Sequence, residues 1–286
     1  MSQPSVYEPI TYYADQSQVS SPGRLGYLFD DLPTDLSALQ KLLHDVMISN
    51  TYAHYEGVEL PRVRTNEVYL RTVQSKLEHL LKLNPVPLSE ARSPKDRLIG
   101  NSRDFSLMLV SILRHHNLPA RLRCGFTVYP NPGKYETSWI TESWNQPEQR
   151  WQKVDIFMKP SILSELTLSF DPLDLPETHF IPPNLAWQRI NSINSDPKLY
   201  GSGRVRGRSV IKNTLIHDFL CLNRIEPLPF DNFKLANTKI AELHSQNISL
   251  LDRLSKTTTG ESRDFLLLRT AFLMHASSFL PDYMLE

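Results

Sequence analysis

One stretch constrains this chain more than any other. In Leu98-Ile-Gly-Asn-Ser-Arg-Asp-Phe-Ser-Leu-Met-Leu-Val-Ser-Ile-Leu-Arg-His-His-Asn117, a turn signal at Gly100 and Asn101 is followed by apolar residues on nearly every side of a helix. A helix that is apolar almost all round must lie inside a fold, so the rest of the chain has to cover it. Asp104 places a carboxylate in its first turn, where the free N–H groups and the helix dipole favour negative charge. Ser102 stands at the same end, and two roles are open to it. It can cap the helix, the commoner use of Ser or Asn at this point, or present a hydroxyl where a developing anion is stabilised.

Asn117 is a suitable helix stop, and beyond Pro119 the pattern changes to strict alternation. Ala120, Leu122, Cys124, Phe126 and Val128 share one face and Arg121 and Arg123 the other, which predicts a half-buried strand over 120–129. Two more strands are expected at 136–144 and 151–157, separated by Pro-, Asn-, Gly- and Gln-rich loops. Together they predict an antiparallel sheet beside the helix. Ser138, Ile140, Glu142 and Trp144 share a face of the second strand, and Asp155 lies near the end of the third.

Before the central helix, residues 1–34 are polar and proline-rich, and extended or loosely docked structure is expected there. Asp35 can cap a helix running to about Asn50, with His44 beside its apolar stripe, and a second helix is predicted over 66–83. After Pro160, helical patterns recur at 213–222, 237–254 and 262–274. Leu250, Leu251, Leu254 and the 265–272 segment can either complete the chain's own core or seat a partner helix. The segment 201–209, with three Gly and Arg204, Arg206 and Arg208, has the composition of a flexible loop with guanidinium groups available to an anion; it lacks a P-loop ending.

Composition narrows the function classes. Lys plus Arg and Asp plus Glu each total 31, so no net field gathers nucleic acid or an anionic membrane surface. No run approaches membrane-spanning length and no secretory leader is evident, so a soluble cytoplasmic protein is expected. Cys124 and Cys221 have no metal-ligand spacing and are expected to be buried, reduced thiols. No metal and no cofactor is implied.

Taken together, four stretches resemble the transglutaminase-like branch of the papain-type fold: Gly-Asn-Ser-Arg-Asp-Phe at 100–105, Leu-Pro-Ala-Arg-Leu-Arg-Cys-Gly-Phe at 118–126, Tyr-Glu-Thr-Ser-Trp-Ile-Thr-Glu-Ser-Trp at 135–144 and Trp-Gln-Lys-Val-Asp at 151–155. The similarity extends to 54–61, 170–176 and 215–229. It implies an α+β fold with a papain/transglutaminase-like core, a central helix packed on an antiparallel sheet, and helical N- and C-terminal additions. The corresponding division is an extended segment at 1–34, the family-like domain at 35–235 and a helical extension at 236–286.

That family uses a Cys at the head of the central helix, a His on the next-but-one strand and an Asp. Here the three positions hold Ser102, Ser138 and Asp155. A hydroxyl is far less acidic than a thiol, whose pKa is about 8.5, and a helix end supplies at most about 2 kcal/mol, so Ser102 needs a general base. Ser138 cannot act as one. His115 and His116 lie about 20 Å down the helix. The resemblance implies a ligand cleft near Arg103, Asp104 and Trp139, with His54 and His217 in segments it covers. Two functions follow as expectations: a binding or accessory protein for a small-molecule, peptide or acyl ligand or a protein partner, or an acyltransferase or amidohydrolase acting through Ser102.

Overall fold

The computed structural model describes residues 8–129, 131–192 and 195–285. The protein is of the α+β class, and its chain divides into two compact units, residues 1–122 with 139–176 and residues 123–138 with 177–286.

The first unit contains α1 (Pro9–Ala14), α2 (Leu36–Val46), β1 (Met47–Ser49), α3 (Val73–Leu83), β2 (Leu98–Gly100) and α4 (Ser102–His115). It also takes the start of β3 (Ala120–Thr127), the end of β4 (Tyr135–Asn145), β5 (Arg150–Val154) and α5 (Pro160–Glu165). Helix α4 is the central one, with twelve of its residues from Arg103 to Arg114 buried. It docks on β4 through polar contacts as well as packing: Ser106 Oγ donates to the Trp139 carbonyl at 3.1 Å, and Thr141 Oγ1 donates to the Ser106 carbonyl at 3.1 Å. β4 and β5 pair antiparallel, with Thr141 opposite Val154 and Trp144 opposite Trp151.

Several expectations need correction here. Residues 9–29 are not extended: α1 is followed by a 3-10 segment over Gly23–Phe29, and Tyr13 and Phe29 are completely buried. Pro9 pre-sets φ at the first helical position, and the two aromatic rings gain more from the core than a polar composition suggests. Arg114 Nη1 donates to Ser20 Oγ and Ser111 Oγ to the Ser20 carbonyl, which ties this segment to α4. The first predicted helix stops at Val46, because Met47–Ser49 pairs in parallel with Leu98–Gly100. The second begins at Val73, capped by Thr72; residues 62–69 form 3-10 turns instead.

Strand β3 is buried along its whole length and not half-buried. Alternation failed to report this because both outward arginines find buried carboxylates. In the first unit Arg121 pairs with Glu142 at 2.7 Å and lies 4.1 Å over the Trp151 ring.

The second unit takes the rest of β3 and β4 and adds β6 (Phe180–Ile181), α6 (Pro183–Ser192), β7 (Tyr200–Ser202), β8 (Val205–Arg206), α7 (Arg208–Leu222), α8 (Lys234–Asn237), α9 (Ser245–Thr257) and α10 (Phe265–Phe279). Arg123 forms a bidentate pair with Asp218 of α7, at 2.8 Å to each oxygen. β3 pairs antiparallel with β6, but β4 pairs parallel with β7, so the pairing is mixed and not purely antiparallel. The 201–209 segment is the β7–β8 hairpin and the start of α7, and not a flexible loop. Gly201, at φ +145°, lies where a Cβ would be 2.2 Å from the Val205 carbonyl oxygen, and Arg206 is ion-paired to Glu136.

The predicted 237–254 helix is interrupted. Lys212 Nζ donates to the carbonyls of Leu235, Ala236 and Thr238, acceptors that a continuous helix would offer to residues 239, 240 and 242. Leu250, Leu251, Leu254 and Phe265 are buried within this unit, while Leu266, Leu267, Leu273 and Met274 of α10 are exposed. Cys124 and Cys221 are buried free thiols, and burial, reinforced by the Asp218 charge, pushes the Cys124 thiol well up.

Candidate functional site at the head of the central helix

The turn into α4 is built from the bottom by a short parallel ribbon. β1 and β2 carry the chain to Gly100, where a Cβ would lie 2.9 Å from the flexible Met47 Cε and 3.1 Å from Asp104 Cβ, a close approach that a side chain would force its neighbours to accommodate. Asn101 is the N-cap. Its side chain accepts from the Asp104 N–H at 3.2 Å, and Asp104 Oδ2 accepts from the Asn101 N–H at 3.1 Å, a reciprocal capping box. Ser102 is therefore the first helical residue and not the cap.

The other groups at this terminus are saturated by neighbours. Asp104 Oδ1 lies 2.7 Å from Lys76 Nζ and 3.3 Å from Arg103 Nη1, with all three side chains excluded from solvent. Lys76 also donates to the Leu70 carbonyl and Arg103 to the Arg71 carbonyl. Burial lowers the Lys76 pKa, and the adjacent Asp104 carboxylate opposes that shift. Arg103 and Asp104 thus hold the helix end, and neither faces an open cleft.

Ser102 is half-buried, and its Oγ accepts a hydrogen bond from the Trp139 N–H at 3.3 Å. Trp139 itself is buried. Ser138, which precedes it in β4, is buried and makes no side-chain hydrogen bond among the described residues. Asp155 follows β5, is 2% exposed, and uses Oδ1 to accept from the Phe157 N–H at 3.2 Å; its own N–H donates to the Pro172 carbonyl.

Among the described residues no imidazole hydrogen-bonds to Ser102 or Ser138. His54 is exposed and stacks on Tyr55 at 4.1 Å. His217 lies buried in α7 with Nε2 against the Asp231 carbonyl at 2.7 Å, and burial lowers its pKa. His115 and His116 are engaged by Asp30 and the Phe29 carbonyl. No group of three or more His, Cys, Asp or Glu among the described residues is arranged to hold a metal.

A different group of side chains in the same unit was not visible as a set in the sequence. A cavity of about 400 Å³ lies beside α2, lined in part by Gln40, His44, Glu56, Arg97 and Lys159. Glu56 takes Arg97 Nη1 at 3.3 Å on one oxygen and Lys159 Nζ at 2.8 Å on the other. His44 is 7% exposed, with Nε2 3.0 Å from the Ile156 carbonyl and its ring against Phe105. Burial, then the Lys159 charge, lowers its pKa to about 4, against the opposing pull of the carbonyl bond and Glu56. The only local signal was a histidine beside an apolar helical stripe; its partners lie far away in sequence.

No protein-family model, curated protein or solved structure matches the chain. Among the described residues no helix is long and apolar enough to cross a membrane.

Proposed function

We propose that this chain is a degenerate transglutaminase-like protein of papain-type core, in which Ser102, Ser138 and Asp155 occupy the former Cys, His and Asp positions. It acts as a cytoplasmic binding or accessory protein for a small-molecule, peptide or acyl ligand or for a protein partner, without acyl transfer. The observation that carries this reading is the state of Ser102. Its oxygen accepts a backbone hydrogen bond from Trp139, and among the described residues no imidazole is bonded to it to remove its proton.

The test is intact-protein mass spectrometry after incubation with an activated ester such as p-nitrophenyl acetate. The expected result is no acyl mass on Ser102. An adduct that maps to Ser102 and disappears in a folded Ser102→Ala variant would overturn the proposal. It would favour the second reading, an acyltransferase or amidohydrolase. One observation supports that alternative: Asn101 performs the capping, which leaves the Ser102 hydroxyl half-buried at the positive end of the α4 dipole.

A further inference from the structure

The cavity beside α2 is a place in the first unit where a cluster of charged side chains lines an open space of about 400 Å³. Five of its lining side chains are Lys, Arg, Asp or Glu: Lys41, Asp45, Glu56, Arg97 and Lys159. Lys41 and Asp45 pair with each other at the exposed rim. Deeper in, Arg97 and Lys159 share the single carboxylate of Glu56, and all three side chains are less than one-fifth exposed. Two partly buried cations against one carboxylate leave one positive charge on the cavity wall without a counter-charge among these three side chains.

The donors on those cations are also incompletely used. Arg97 donates Nε to the Arg92 carbonyl and Nη1 to Glu56, and Nη2 has no protein partner among the described residues. Lys159 carries three N–H groups and meets Glu56 with one. A carboxylate, with two oxygens to share between a guanidinium and an adjacent ammonium, suits this pair of donors.

His44 adds an acceptor. A carbonyl oxygen can only accept, so Nε2 must carry the proton it gives to Ile156, and in the neutral ring Nδ1 is then a lone pair. Among the described residues Nδ1 has no protein partner. A ligand that satisfies both features has a negative carboxylate at one end and a hydroxyl or amino N–H donor beside it. The volume, about 400 Å³, suits a small metabolite.

We propose that this cavity binds a small organic carboxylate bearing a hydrogen-bond donor, with Arg97 and Lys159 holding the carboxylate and His44 Nδ1 accepting from the donor. The site uses neither Ser102 nor the proposed ancestry of the fold.

The experiment is NMR titration of the full chain, following the His44 imidazole signals, with three probes of similar size: lactate, lactamide and acetate. Lactate is expected to shift His44 saturably in the millimolar range. Lactamide, which lacks the charge, should leave the signals in place, and acetate, which lacks the donor, should bind several-fold more weakly. Lys159→Gln should abolish the lactate shift, whereas Glu56→Gln, which frees both cations, should tighten binding several-fold. Absence of a saturable lactate shift, equal shifts with lactamide, or persistence of the shift in folded Lys159→Gln would overturn the proposal. Equal affinity for acetate would overturn the role given to His44. Were Lys159→Gln to unfold, the comparison of lactate with lactamide on the natural chain decides the matter alone.

Discussion

The head of α4 and the cavity beside α2 lie in the same unit and are built from the same residue types, yet they end in opposite states. At the helix head the single Asp104 carboxylate likewise takes two cations, Lys76 and Arg103, but all three side chains are excluded from solvent, both cations also bond backbone carbonyls, and Asn101 closes the capping box. Beside α2 the same ratio of one carboxylate to two cations borders an open cavity, and a neutral imidazole keeps a lone pair. Saturation of this kind fixes a backbone; incomplete saturation leaves something for a ligand to complete. The comparison therefore separates a polar group that supports the fold from one that is available for chemistry, which residue type alone cannot do.

The largest effect that would break the contrast is at Asp104. Asp104→Ala removes the carboxylate that pairs directly with both Lys76 and Arg103 and leaves two buried cations without it, at an expected cost of about 3–5 kcal/mol. Urea unfolding of the variant measures it. A cost below about 1 kcal/mol would mean that the cluster is not what holds the helix end.

Next in size is the acid response of His44. The unfolded chain takes up this proton near pH 6.5, whereas the folded protein does so only near pH 4. Stability is thus fully present above pH 6.5 and falls as pH drops through that window, by up to about 3 kcal/mol from His44 alone. His217, also lowered by burial, acts in the same direction. Unfolding free energies at pH 7 and pH 5 should converge by about 2 kcal/mol in His44→Gln relative to the natural chain. An unchanged pH dependence would contradict the buried neutral imidazole.

Smaller still is Asn101→Ala, which deletes the cap while leaving Asp104 in place and should cost about 1 kcal/mol. The smallest effect is at Ser102. Ser102→Ala removes the hydrogen bond from the Trp139 N–H and should cost no more than about 1 kcal/mol in thermal or urea unfolding. A loss several times larger would show that Ser102 belongs to a network beyond the Trp139 contact.

Helix α4 was legible in the sequence because its signals are local: turn residues, a first-turn carboxylate and a dense apolar run fall within one window. The start of β3 was equally plain, but its burial was not. Arg121 and Arg123 look solvent-facing until Glu142, 21 residues on, and Asp218, 95 residues on, are brought beside them. The expectation for 1–33 misled for a similar reason: residues 1–7 lie outside the described residues, and the contacts that tie residues around Ser20 come from Ser111 and Arg114 of α4. Ser102 was recognised as a helix-head residue, but whether it or Asn101 caps depends on backbone angles that Gly-Asn-Ser does not settle. The α2 cavity was invisible because Gln40, Glu56, Arg97 and Lys159 come from four separate segments, and no spacing rule joins them.

The β1–β2 ribbon bears on how the chain reaches this structure. Its six residues join points about fifty positions apart, and closing a loop of that length costs roughly 3–4 kcal/mol before any contact is gained. Three residues of pairing on each side cannot drive that closure unaided. The ribbon is therefore expected to form after α2, α3 and α4 have begun to pack, so that the Gly100 turn and the Asn101 cap close late on the folding route. Weakening it at Ile48, as in Ile48→Ala, should chiefly accelerate unfolding and leave the refolding rate nearly unchanged, the kinetic mark of a joint made last.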